Sequence, residues 1–231
     1  MYLSLELKKL ENPKRAKVMQ GFFKTGKGEY GEGDVFLGVS VPQTRSLAKR
    51  FSNSGFSELK KLLSSKIHEE RLLALFVLVE KFKKGSEAEK KHVFGFYIDN
   101  LKGVNNWDLV DLSAYKIVGE YLFNRDKKIL FEFSKSKNMW ERRISIVSTY
   151  AFIKKNSFET TFEISELLLG DKEDLIHKAV GWMLREAGKR NQEKEEEFLK
   201  KHYKRMPRTM LRYSIEKFPE KKRKSILGGN Y

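Results

Sequence analysis

Glu70-Arg71-Leu72-Leu73-Ala74-Leu75-Phe76-Val77 returns 71 residues later as Glu141-Arg142-Arg143-Ile144-Ser145-Ile146-Val147-Ser148. In both copies an acid and a base open an apolar run, and a lysine pair follows it, Lys83-Lys84 and Lys154-Lys155. The offset equals two units of roughly 35 to 36 residues, the length of one helix pair in an α-solenoid. Stepping by that unit visits Arg71, Trp107, Arg143 and Lys178, and one helical turn later Leu75, Asp111, Val147 and Trp182. In such arrays the second helix of each pair lines a concave surface. The register therefore predicts that Trp107, Asp111, Arg143 and Trp182 share one concave face.

The rest of the chain fits a helical reading. Four prolines punctuate 231 residues, and helix formers dominate between them. Asn12 before Pro13 reads as a cap with an N1 proline, opening a helix to about Lys24. A Gly-rich loop follows at 25–34, and Pro42 opens a helix from Gln43 to Phe51. Helical periodicity then resumes every ~15 to 18 residues, with breaks near Gly55, Gly85, Gly103, Asn124, Asn138, Asn156 and Gly170. Sustained apolar/polar alternation is missing, so strands should be few or absent. The expectation is an all-α chain: a single domain over 1–231, built as a superhelical solenoid of antiparallel helix pairs.

Composition narrows the function. A formal charge of +16 calls for a polyanionic partner, nucleic acid ahead of an acidic membrane. The basic helices at 189–231 carry 14 Lys/Arg against 6 Glu. With no cysteine, disulfides and thiol catalysis are excluded, and four scattered histidines (His68, His92, His177, His202) give no metal spacing. The N-terminus lacks a signal-peptide core and no run spans a membrane, so the expected location is cytoplasmic, on the nucleoid in a bacterium. No Walker spacing exists, although Lys27 and Tyr30 in the Gly-rich loop are placed to meet phosphate.

Within this basic chain Asp111 stands one helical turn from Trp107. Taken alone, Asp111 reads as a solvated surface acid, Trp107 as core or cleft, and Trp182 as a core residue behind Gly181. The surrounding segments alter that balance. Asn106-Trp107-Asp108-Leu109-Val110-Asp111 resembles the Trp-Asp-x-Val-Asp motif of the DNA alkylation repair family, the AlkD-type DNA glycosylases. Trp140-Glu141-Arg142-Arg143 resembles its Trp-x-x-Arg segment. Lys178-Ala179-Val180-Gly181-Trp182-Met183-Leu184-Arg185-Glu186 is similar to its Lys-Ala-x-Gly-Trp-x-Leu-Arg-Glu motif, the most specific of the set. Phe36-Leu37-Gly38-Val39 through Pro42 to Arg45 resembles its N-terminal entry segment.

The resemblance implies a HEAT-like superhelix gripping duplex DNA, as a monomer and without cofactor or metal. It implies hydrolysis of the N-glycosidic bond of cationic alkylpurines, chiefly 7-methylguanine and 3-methyladenine, in base excision repair. By the family pattern Asp111 is the catalytic carboxylate, Trp107 and Trp182 wall the cleft, and Arg143 contacts the DNA backbone. Lys178 and Arg185 read as phosphate contacts or internal ion pairs, and Trp140 as a packing or capping residue. Where the family places a cleft tyrosine, this chain has Phe22 or Phe23, without the hydroxyl. Its Gly-rich loop is also longer than the usual one. A non-catalytic DNA-binding relative with the same architecture is the competing expectation, and a protein-interaction solenoid a third that the charge disfavours.

The chemistry asks for these residue types. Alkylation at N7 or N3 makes the purine a cationic leaving group, so no general acid is needed. A fixed carboxylate stabilises the oxocarbenium character that develops at C1′. Indole faces favour the same positive charge, by about 0.5–2 kcal/mol each. Surrounding lysines and arginines must offset the repulsion between one aspartate and DNA.

Overall fold

The computed structural model describes residues 2–231, and these are all-helical, with a single isolated bridge between Val35 and Ile67. Helices α1 (Tyr2–Lys8), α2 (Pro13–Phe22), α3 (Val41–Arg50), α4 (Phe56–Leu63), α5 (His68–Lys84), α6 (Glu87–Asp99) and α7 (Trp107–Ala114) come first. A π turn, Tyr115–Gly119, leads into the short α8 (Glu120–Leu122). Then follow α9 (Lys128–Ser134), α10 (Met139–Ser148), α11 (Tyr150–Ile153), α12 (Glu159–Leu167), α13 (Asp174–Gly188), α14 (Gln192–His202), α15 (Arg208–Ser214) and α16 (Glu220–Leu227). The contacts divide the chain into two compact units, the first ending at Ser113 and the second running Ala114–Tyr231.

In the first unit α5 is the central helix, with α3, α4 and α6 packed on it. Its residues from His68 to Leu78 are all buried, so this helix is covered all round rather than on one stripe. Glu69 and Glu70 occupy its first turn and Lys81, Lys83 and Lys84 its last, the arrangement the helix dipole favours. In the second unit α13 takes the corresponding place, packed by α10, α14 and α15. Its buried residues, Ile176, Ala179, Val180, Met183, Leu184 and Ala187, recur at three- and four-residue spacing along one face. The larger of these, Ile176, Val180, Met183 and Leu184, each contribute about 1.5–3 kcal/mol by leaving water.

Most helix limits follow the expected signals. Asn12 Oδ1 accepts from the Arg15 amide at 3.0 Å, so it caps α2. That helix ends at Phe22 rather than Lys24, because Lys24 turns into the left-handed region at φ 51°. Helix α3 begins at Val41, two residues before Gln43, because the Ser40 and Gln43 side chains close a capping box over its first turn. Asn156, at φ 59°, ends its helical stretch at the expected break. The break at Ser64–Ile67 was not expected; there the Ser65 hydroxyl accepts the Ile67 amide at 3.0 Å and opens α5.

The 71-residue repeat has a physical counterpart. Arg71 Nη1 donates to the Ser65 carbonyl at 2.9 Å, and Arg142 Nη1 donates to the Ser136 carbonyl at 2.9 Å. Ser136 Oγ also accepts the Asn138 amide at 3.0 Å, as Ser65 does for Ile67. Each arginine is paired to a carboxylate, Arg71 to Asp34 at 2.7 Å and Arg142 to Asp171 at 2.6 Å. One acid lies upstream of its arginine and the other downstream, so the helix-start lock repeats while the pairing acid does not.

Candidate active site

In the first unit Trp107 opens α7 and Asp111 follows one turn on, both partly exposed. Their neighbours Leu109 and Val110 are fully buried, which sets the opposite face of α7 into the core. Trp107 lies flat on Phe23, ring centroids 5.2 Å apart and planes 8° from parallel. Phe22 meets the same indole edge-on at 5.9 Å and is 64% exposed. The structure thus divides the two candidates for the missing tyrosine. Phe23 is buried behind Trp107, and Phe22 is the one presented outward. Such aromatic pairs add about 0.5–1.5 kcal/mol each beyond burial.

Behind the indole the stack continues, Phe23 on Phe36 at 4.9 Å and Phe36 on His68 at 4.6 Å. His68 is fully buried, with Nδ1 2.9 Å from Asp34 Oδ2 and Nε2 2.8 Å from Asp108 Oδ2. Arg71 Nη2 reaches both Asp34 oxygens at 2.7 Å. Asn106 donates to Asp34 at 3.3 Å and accepts the Trp107 amide at 2.8 Å. Two carboxylates, one imidazole and one guanidinium therefore sit together beneath the start of α7. Burial alone would lower the His68 pKa, but the charge and hydrogen bond of Asp108 and the hydrogen bond of Asp34 raise it above the ordinary value. Burial likewise works against ionised Asp34, yet hydrogen bonding from His68 and the charges of Arg71 and His68 hold its carboxyl below the usual range.

The loop that feeds this cluster is anchored from the same helix. Buried Glu69 accepts the amides of Leu37, Gly38 and Val39 at 3.0, 2.7 and 3.2 Å. Gly38 has φ +80°, and a Cβ there would stand 2.2 Å from the Asn12 carbonyl oxygen, so only glycine fits. The Gly-rich loop ends in Asp34, which ties it to α5 and α7; Lys27 is exposed, and Tyr30 OH lies 3.5 Å from the Phe22 carbonyl. Nearby Tyr97 is buried and bonded to Ser113 at 3.0 Å; burial first, and then the Asp111 charge, push its phenol pKa up.

The remaining sequence-predicted residues belong to the second unit. Arg143 is 5% exposed on α10, and its guanidinium donates to the Leu175 carbonyl. Lys178, Trp182 and Arg185 all lie on α13. Lys178 pairs with Asp174 at 2.8 Å, and Arg185 pairs with Glu216 and, at 3.7 Å, with Glu186. Trp182 is partly exposed and meets Tyr150 at 5.8 Å. Gly181 before it lies against α15, where a Cβ would stand 2.5 Å from both the Met210 carbonyl and Tyr213 Cβ. Trp140 follows the Asn138 cap and donates its amide to that side chain at 3.0 Å.

Sequence reasoning did not single out Asp34, His68 or Asn106. Their partners lie 34 to 72 residues apart, and no local spacing signals them. Asp108, inside the Trp-Asp-x-Val-Asp segment, was the one visible member. Among the described residues, no helix is long and apolar enough to cross a membrane.

A family model for DNA alkylation repair enzymes matches residues 3–218. A predicted DNA alkylation repair enzyme from Enterococcus faecalis has a similar solved structure, at 19% identity and a TM-score of 0.71, covering 91% of this chain and 97% of its own. A Streptococcus mutans UA159 protein, smu.31, is similar at 21% identity and a TM-score of 0.53, covering 78% of this chain and 93% of its own. At these identities both likenesses are of fold. No curated protein matches. The family match over nearly the whole length, on an all-α chain, makes this protein a member of the DNA alkylation repair enzyme family.

Proposed function

We propose that the protein is a DNA glycosylase that hydrolyses the N-glycosidic bond of cationic alkylpurines, 7-methylguanine and 3-methyladenine, in duplex DNA. The family supplies the coarser statement, a role in repair of alkylation damage. One observation carries the finer one. In a chain of net charge +16, a partly exposed carboxylate and a partly exposed indole stand one turn apart on α7, beside the outward-facing ring of Phe22.

In this reading a water oxygen bonds to C1′ as the C1′–N bond breaks. The bonding electrons pass to the purine and neutralise its positive charge, and the water proton leaves to solvent or to Asp111. The Asp111 carboxylate stabilises the cationic sugar, an electrostatic contribution worth on the order of 10²-fold or more in rate. Trp107 and Phe22 offer faces to the sugar and its cation. With Phe22 in place of a tyrosine, that wall contributes no hydroxyl.

On its own motif Trp182 is assigned an aromatic contact to the DNA, and Lys178 and Arg185 contacts to its backbone. Arg143, 5% exposed and bonded to the Leu175 carbonyl, would have to leave that partner to meet a phosphate. A phosphate reaching Lys178 or Arg185 would compete with Asp174 or Glu216, replacing one anion by another at small net cost. Release of free 7-methylguanine from methylated duplex DNA by the purified protein tests the reading. Tight, salt-sensitive DNA binding without any release would replace it with the non-catalytic alternative.

A further inference from the structure

We infer that His68, as an imidazolium clamped between Asp34 and Asp108, is the positioning residue that fixes Trp107 and Asp111 at the start of α7. The inference rests on the glycosylase reading for its consequence in rate, but not for its geometry.

Both ring nitrogens face carboxylate oxygens at 2.8–2.9 Å. A neutral imidazole has one donor and one lone pair, so it would set that lone pair against one of the two carboxylates. With both nitrogens protonated, both contacts are charge-assisted hydrogen bonds. The charges then balance within the buried cluster: Asp34 and Asp108 against His68 and Arg71. These are the charged groups that face the ring. Asp34 comes from the Gly-rich loop, Asp108 from α7, and Arg71 from α5 itself, with Nη2 3.5 Å from His68 Nδ1. Arg71 is the only one of them that opposes protonation.

Two routes lead from this ring to the reacting face. Through hydrogen bonds, His68 holds Asp108, the residue after Trp107, whose other oxygen accepts the Leu109 amide at 2.8 Å. Asp34, held by the same ring, binds Asn106 on the other side of Trp107. Through rings, His68 supports Phe36, Phe36 supports Phe23, and Phe23 lies flat under Trp107. Loss of the His68 proton weakens one arm of the clamp and frees the first turn of α7. The clamp is therefore complete below the ordinary imidazole range, while both carboxylates are ionised, and is lost as pH rises through the elevated His68 pKa.

The test combines three variants with a readout that needs no excision. Single-turnover release of 7-methylguanine should fall at alkaline pH in the wild type. In His68→Ala it should be lower on the order of 10²-fold below the His68 transition, the scale of a misplacement of about 1 Å, and should show no fall of its own there. Asp108→Asn keeps the clamp with a neutral ring: the amide donates to Nε2, and Nδ1–H still faces Asp34. It should retain activity and lose the alkaline fall, which a merely structural disruption would not produce. Ring ¹⁵N spectra should show His68 doubly protonated at neutral pH. In full-length protein with Trp107 as the only indole (Trp140→Phe with Trp182→Phe), acrylamide quenching should rise as His68 deprotonates. If the wild type releases no base while quenching still follows His68, the glycosylase reading fails and the clamp stands. A neutral His68 ring at pH 7, or quenching and release that ignore His68 titration, overturns the inference.

Discussion

Replacing Glu195 by glutamine should stabilise the protein, by an amount that grows with pH. Glu195 lies on α14, 2% exposed, and its Oε1 has no hydrogen-bond partner among the described residues. Burial first, and then the neighbouring Glu196 carboxylate, push its pKa up from 4.5 to about 8, against the weaker pull of Arg185 and Lys222. Folding therefore takes up a proton here. Below pH ~4.5 both states are protonated and nothing is lost. Between that and about pH 8 the unfolded chain is ionised while the folded one is not, so stability falls by about 1.4 kcal/mol per pH unit. At pH 7 the accumulated cost is about 3 kcal/mol, and it levels near 4–5 kcal/mol above pH 8. Glutamine keeps the shape and cannot ionise, so Glu195→Gln should gain most of that. For a chain of this size the gain corresponds to a rise in Tm of roughly 6–12 °C at pH 7 and almost none near pH 4.5. Thermal unfolding followed by circular dichroism across pH 4.5–9 measures it. Parallel curves for the two proteins would refute the reasoning, because they would mean that Glu195 titrates alike in both states.

Further outcomes follow from the same contacts. Gly181→Ala should destabilise the second unit by about 1–3 kcal/mol, since its Cβ would press on the Met210 carbonyl and Tyr213 Cβ; an unchanged urea midpoint would show that α13 and α15 can separate freely. Phe22→Ala, at a 64%-exposed ring that pairs edge-on with Phe23 and Trp107, should cost about 1–3 kcal/mol of stability and leave the protein folded while slowing base release. Equal single-turnover rates would remove Phe22 from the site. Duplex DNA binding should weaken with salt along a log–log slope of about −5 or steeper, as expected when five or more phosphates are neutralised. A flat salt titration would exclude backbone contact as the source of affinity.

What could be read from the sequence was what local periodicity and capping chemistry encode. The helical character, the cap at Asn12, and the breaks at Asn156 and Gly170 depend on residues within a few positions of each other. The 71-residue repeat proved physical at Ser65–Arg71 and Ser136–Arg142, where the same side-chain-to-carbonyl lock recurs. Arg71 itself illustrates the limit. Its repeat position led to Trp107 and Arg143, yet its guanidinium is buried against Asp34. Which carboxylate meets which cation is settled by packing between distant segments, so Asp34 and His68 gave no local signal, and Asp108 was visible only as part of a motif, not as a partner of His68. Glu195 was similarly hidden. In a charged run, Glu193 to Glu197, nothing local marks which acid the helix turns inward.

The central claim is that the Asp111 carboxylate promotes loss of a cationic base, and one comparison tests it most directly. Wild-type protein and Asp111→Asn are incubated in excess with duplex DNA containing 7-methylguanine, and released base is measured over time alongside DNA affinity. The account predicts similar affinity for both and release slower on the order of 10²-fold or more in the variant. Equal rates of release would contradict it.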